Sequence, residues 1–119
     1  MNERIKIIEK SGHKILSVDM SNLTIPEVLS MYPEVNAIAI PQKIRLIMLD
    51  VTNTRSSSEI KDKSKEAISE LEATVGTVYS ALVGIRGIQK IIANAISRNQ
   101  HFAESTQEAI EWLIDQVNK

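Results

Sequence analysis

Hydrophobic positions change period several times along the chain, and each change marks an element. Residues 4–8 (RIKII) alternate, with Ile5 and Ile7 on one face, and predict a strand over Arg4–Ile8. Lys14–Asp19 predicts a second strand, and the polar Ser11-Gly12 link suits a tight hairpin between the two. From about Ile25 the spacing becomes helical, with Val28, Met31, Tyr32, Val35, Ile38 and Ala39 on one side. An interior proline removes a hydrogen bond, so Pro33 predicts a kink or break near Tyr32, and Pro41 is expected in the exit loop. Arg45–Val51 (RLIMLDV) is almost continuously apolar, as in a strand covered on both faces.

A helix is expected from about Ser57 through Glu72, with Ile60, Ser64, Ala67 and Leu71 inward and Glu59, Lys61, Lys63, Lys65 and Glu70 outward. Thr77–Val83 (TVYSALV) reads as another central strand. Ile88, Ile91, Ile92, Ala95 and Ile96 form a helical stripe. His101–Ala103 reads as a short strand and Thr106–Val117 as a last helix, with Ile110, Leu113, Ile114 and Val117 inward. The predicted order is β-β-α-β-α-β-α-β-α: an open, mixed, mostly parallel α/β sheet of about five strands with four helices and one antiparallel edge strand. The nearest thing to a linker, Ala73–Gly76, is too short to separate domains, so residues 1–119 are expected to form one domain.

Composition narrows the chemistry. The 119 residues contain no cysteine, which excludes a disulfide framework, a cysteine nucleophile and a thiolate metal site, and suits a reducing cytoplasm. Net charge is −1 with lysine and arginine dispersed, so no basic patch for nucleic acid stands out. The start, MNERIKIIEK, lacks the apolar run of a signal peptide, and no stretch approaches a membrane span; a soluble, cytoplasmic protein is the expectation. His13 and His101 are isolated in sequence, and no HExxH-like or G-x-S-x-G pattern accompanies them, so neither a metal centre nor a cofactor nor an enzyme is expected.

Two segments repeat a pattern. SVDMSN (17–22) and MLDVTN (48–53) each read Asp, apolar, Ser or Thr, Asn, and each leads into a predicted helix. Three helix starts also carry Ser/Thr-x-x-Glu: Thr24 to Glu27, Ser56 to Glu59 and Ser105 to Glu108. That spacing lets hydroxyl and carboxylate satisfy the first amides reciprocally. On this reading Asp19 and Asp50 are turn-forming groups, one structural device used twice. The alternative is a site. Ligands of open α/β sheets lie beyond the carboxyl ends of parallel strands. Asp19, Asp50, the Ser56-Ser57-Ser58 run and the Gly84-Ile85-Arg86-Gly87 loop should all emerge there. Gly84, Arg86, Gly87 and Lys90 are then candidates for contact with an anion at a helix start, although the spacing is not that of a P-loop.

Taken together, the hairpin, ILSVDMSNL, IMLDVTN, SALVGIRGIQKIIANAI and EAIEWL resemble the small SpoIIAA-like relatives of STAS domains, a fold also likened to the CRAL-TRIO (SEC14) lipid-binding domains. The resemblance spans nearly the whole chain. It implies a non-enzymatic regulatory module that binds a protein partner or itself, with a phosphoacceptor serine at the helix after the third strand. Ser56 and Ser57 occupy that place. The family loop reads roughly Asp-Ser-Ser-Gly-Leu, whereas Arg55-Ser56-Ser57-Ser58-Glu59 lacks both the leading Asp and the Gly. The alternative function is a carrier or sensor for a small amphiphile or anion, which requires an apolar void flanked by Tyr79, Arg86 or Lys90. Trp112 falls roughly 150° from the centre of its helix's apolar stripe, at ~100° per residue. It is a candidate interface anchor, or else folds with Ala109 over the sheet edge.

Overall fold

The computed structural model describes residues 3–54, 57–85 and 99–118. Five strands and three helices lie within them: β1 (Ile5–Lys10), β2 (His13–Asp19), α1 (Ile25–Gln42), β3 (Leu46–Asp50), α2 (Ser58–Val75), β4 (Tyr79–Val83), β5 (Gln100–Ala103) and α3 (Thr106–Val117). The helix predicted from the Ile88–Ile96 stripe falls outside the described residues.

The strands lie in their chain order, β1-β2-β3-β4-β5. β1 runs antiparallel to β2, and all other neighbours are parallel. Ser11 (φ 54°) and Gly12 (φ 80°) are both left-handed, the requirement of the two-residue turn whose twist matches a hairpin.

Strand alternation divides the core in two. Leu16, Val18, Ile47 and Leu49 point to the face covered by α1 and α2, where they meet Val28, Met31, Val35, Ala39 and Leu71. Ile15, Leu46, Met48 and Ala81 point to the other face, under Ala109 and Leu113 of α3. Four of the five β3 residues are buried, as its unbroken apolar run requires. Between α1 and α2 the buried Asn36 amide donates to the Ala67 carbonyl (2.9 Å), so this buried polar side chain is satisfied.

Three expectations need correction. α1 continues through both Pro33 and Pro41 to Gln42, with no break at Tyr32 and no proline in an exit loop. Pro33 and Pro41 lie on the exposed side, where a carbonyl that loses its intrahelical partner is met by water, while the buried side keeps its packing. The cap of α2 is Ser57, whose hydroxyl accepts from the Ile60 amide (3.1 Å). The position reciprocal to this cap is Ile60 and not Glu59, and Ser56, expected to pair with Glu59, lies outside the described residues. Residues 73–75, read as the nearest thing to a linker, are the last turn of α2, which ends at Gly76 (φ 88°).

Candidate functional site

The carboxyl ends of β2, β3 and β4 form one rim, since Asp19 pairs with Asp50 and Asp50 with Val83 in the parallel register. At this rim the two repeated segments adopt the same turn. Asp19 Oδ1 accepts from the Ser21 amide (2.9 Å) and the Ser21 hydroxyl (2.5 Å). Asp50 Oδ1 accepts from the Thr52 amide (3.0 Å) and hydroxyl (2.6 Å). Each turn ends on a left-handed asparagine, Asn22 (φ 61°) and Asn53 (φ 55°), a residue that adopts this conformation at low cost.

The turns are also laced together. The Met20 amide donates to the Asp50 carbonyl (2.8 Å) and the Asn22 amide to that of Thr52 (2.9 Å), so the parallel ladder runs on past the strands. Asn53 Nδ2 donates to Asn22 Oδ1 (3.1 Å), and the Thr54 hydroxyl to the Met20 carbonyl (2.6 Å). Arg4 adds bonds to the carbonyls of Ser21 (3.1 Å) and Asp19 (3.3 Å), with its guanidinium 3.6 Å from the Asp19 carboxylate. The Ser21 hydroxyl and amide, helped by Arg4 and Lys6 against slight burial, hold the Asp19 carboxyl below the usual carboxylate range.

Gly84 joins this rim by packing. Its φ of 96° suits glycine alone, and a Cβ there would lie 2.8 Å from the Thr52 nitrogen and 2.9 Å from its Cα. The close approach is thus to the Asp50 turn. Ser57 stands half-buried at the α2 start, its hydroxyl engaged as the cap. Ser56, Arg86, Gly87 and Lys90 lie outside the described residues, so the structure brings together Asp19, Asp50 and Gly84 from the predicted set.

Below the rim, α1 and α2 enclose a hollow of about 510 Å³ against the sheet. Its apolar lining includes Met20, Leu49, Ile68, Leu82 and Phe102, and its polar groups include Tyr32, Ser64, Ser80 and Gln100. Burial pushes the Tyr32 phenol up in pKa, opposed by its hydrogen bond with Ser64. Tyr79, expected to flank such a void, faces the other side of the sheet.

On that other side Trp112 is half-buried. It stacks on His101 (centroids 5.0 Å, 13° between planes) and meets Tyr79 edge-on (6.2 Å, 77°). His101 Nε2 lies 2.9 Å from Glu108 Oε1, and the second oxygen of Glu108 accepts from the Glu104 amide (3.3 Å). The β5–α3 joint is thereby held by one carboxylate. No spacing rule links residues 79, 101 and 112, which meet only because β4 pairs with β5 and α3 folds back over both.

Among the described residues, no group of three or more His, Asp or Glu side chains is placed to hold a metal ion. Nor is any helix among them long and apolar enough to cross a membrane.

No protein-family model matches the sequence, and no curated protein shows significant similarity to it. Among solved structures, a serine-to-glutamate variant of RsbS from Moorella thermoacetica is similar over 98% of this chain and 100% of its own, with TM-score 0.66 at 16% sequence identity. RsbS is a STAS-domain protein, and the likeness shows that this chain has the STAS fold.

Proposed function

We propose that this chain is a non-catalytic STAS-like module that works by binding protein through an exposed face. One observation carries the reading: both rim carboxylates are turned onto their own loops, each receiving two short hydrogen bonds from the residue two positions on. A general base needs its lone pairs aimed at a substrate proton. Asp19 and Asp50 each commit Oδ1 to closing a turn, at the strand-end position where α/β enzymes gather chemistry. The fold supports the same view, since STAS proteins like RsbS act through protein interactions.

The hollow under α1 and α2 favours a second reading, a carrier for a small amphiphile whose tail lies among Leu49, Leu82 and Phe102 and whose polar end meets Tyr32 and Ser64. Native mass spectrometry of the purified chain separates the two. A module that binds protein should appear with a second polypeptide or as a multiple of its own mass, and without a small adduct. A monomer that retains a small molecule would overturn the protein-binding reading in favour of the carrier.

A further inference from the structure

Among the described residues, α3 is the one helix on the second face of the sheet. α3 rests chiefly on β3, β4 and β5. Ile15 of β2 is fully buried in the α3 side of the core, and beyond it the edge strand β1 forms a step roughly one helix diameter, ~10 Å, below the outer surface of α3. Strand alternation puts Lys6, Ile8 and Lys10 on this step, because Ile8 belongs to the α3 side of the core and Ile5 to the opposite one. Both lysines are exposed and Ile8 between them is half-buried; Glu9 points to the other face.

The ridge has the opposite charge. α3 (Thr106–Val117) carries Glu108, Glu111 and Asp115 and no lysine or arginine. Glu111 and Asp115, one turn apart and exposed, crown α3, and the flank toward β2 carries the half-buried Ile110 and Ile114. Neither crown carboxylate forms an ion pair with either step lysine within the chain.

We infer that this face is a self-association surface, in which α3 of one copy seats on the β1 step of a second copy across a two-fold axis. The inference rests on the protein-binding reading above and names the partner. A two-fold operation brings the same patch to itself, so a stable pair needs both halves of a complementary contact on one side of the molecule. Here they lie on one sheet face: an acidic ridge and a basic step. Turning a second copy face to face sets Glu111 and Asp115 over the partner copy's lysines twice over, and brings the apolar flanks of the two ridges together. A different protein would need only one of these halves.

Charge reversal tests the pairing by sedimentation velocity on the full chain. The wild type should dimerise, more weakly as salt rises. Lys10→Glu and Glu111→Lys/Asp115→Lys should each weaken the dimer by about tenfold or more while melting as the wild type does. Mixing the two reversed chains should restore a heterodimer, because each reversed step then meets a reversed ridge. A wild-type monomer at every concentration, a dimer indifferent to both reversals, or reversed chains that do not pair when mixed would each overturn the inference. Failure here leaves the protein-binding reading standing if native mass spectrometry shows a different polypeptide bound. A monomer retaining a small molecule removes both.

Discussion

The turns at Asp19 and Asp50 have the same bonds and different surroundings. Asp19 closes the end of β2 beside the edge strand, with its side chain 51% exposed and Arg4 alongside. Both strand ends are laddered on two sides, Asp19 through its amide on the Arg4 carbonyl and its pairing with Asp50, and the Asp50 end through the Met20 amide on its carbonyl and the Val51 amide on that of Val83. Asp50, however, is only half-exposed. Its turn is also overlaid by Gly84, with no room for a side chain. One local sequence device thus has two energetic weights, set by what lies on either side of it. A motif read from the chain tells which hydrogen bonds form; the sheet order tells what losing them costs.

The asymmetry can be broken most severely at Gly84. Gly84→Ala combines left-handed strain with a backbone clash, and should cost about 3 kcal/mol or more in urea unfolding. Among the described glycines, only Gly84 packs against either turn, so this large effect belongs to the Asp50 side. Next come the carboxylates themselves. Asp50→Ala should lose about 2 kcal/mol and Asp19→Ala about 1 kcal/mol, because unmade hydrogen bonds cost more where water cannot replace them. Equal losses would mean that the neighbours do not matter.

Acid titration sharpens the contrast from the exposed side. Asp19 is held below the usual carboxylate range chiefly by Ser21, and Glu27 likewise by the Thr24 amide and hydroxyl. With folded values lowered, the unfolded chain binds more protons between the two values. Stability from these groups is therefore complete above the ordinary carboxylate range and is lost as pH falls through the folded values, from about pH 5 downward. The urea midpoint should follow that course, and Asp19→Ala should flatten it. Smallest is Asn53→Gly, which keeps the left-handed turn and loses the bond to Asn22, with an expected change within about 0.5 kcal/mol.

Much of this architecture is legible in residue patterns. Period two and continuous apolar runs locate all five strands to within two residues at either end, and the α3 bounds fall where the stripe places them. The rim is legible as well, since two Asp-apolar-hydroxyl-Asn segments at consecutive parallel strand ends must come out side by side. What failed has local causes. Proline rules judge a residue without knowing whether its helix face meets water, and Pro33 and Pro41 do. Three successive serines can each serve as a cap, and the Ser-x-x-Glu spacing favours Ser56, whereas the hydroxyl that caps α2 is that of Ser57. Trp112 looks off-stripe on a helical wheel because the wheel assumes a flat floor beneath the helix; His101 and Tyr79 rise beside it and cover its flank. The hollow is walled by residues from strands, loops and both helices far apart in the chain, a meeting that no single element encodes.

The most direct test of the rim as architecture is the sign of one melting shift. Catalytic carboxylates are commonly held at a cost to stability, so that removing them raises the melting temperature. In the double variant Asp19→Ala/Asp50→Ala, carboxylates that close turns should give a clear fall in melting temperature with the sheet retained. An unchanged or raised melting temperature would contradict the structural role and return both residues to the list of candidate reactive groups.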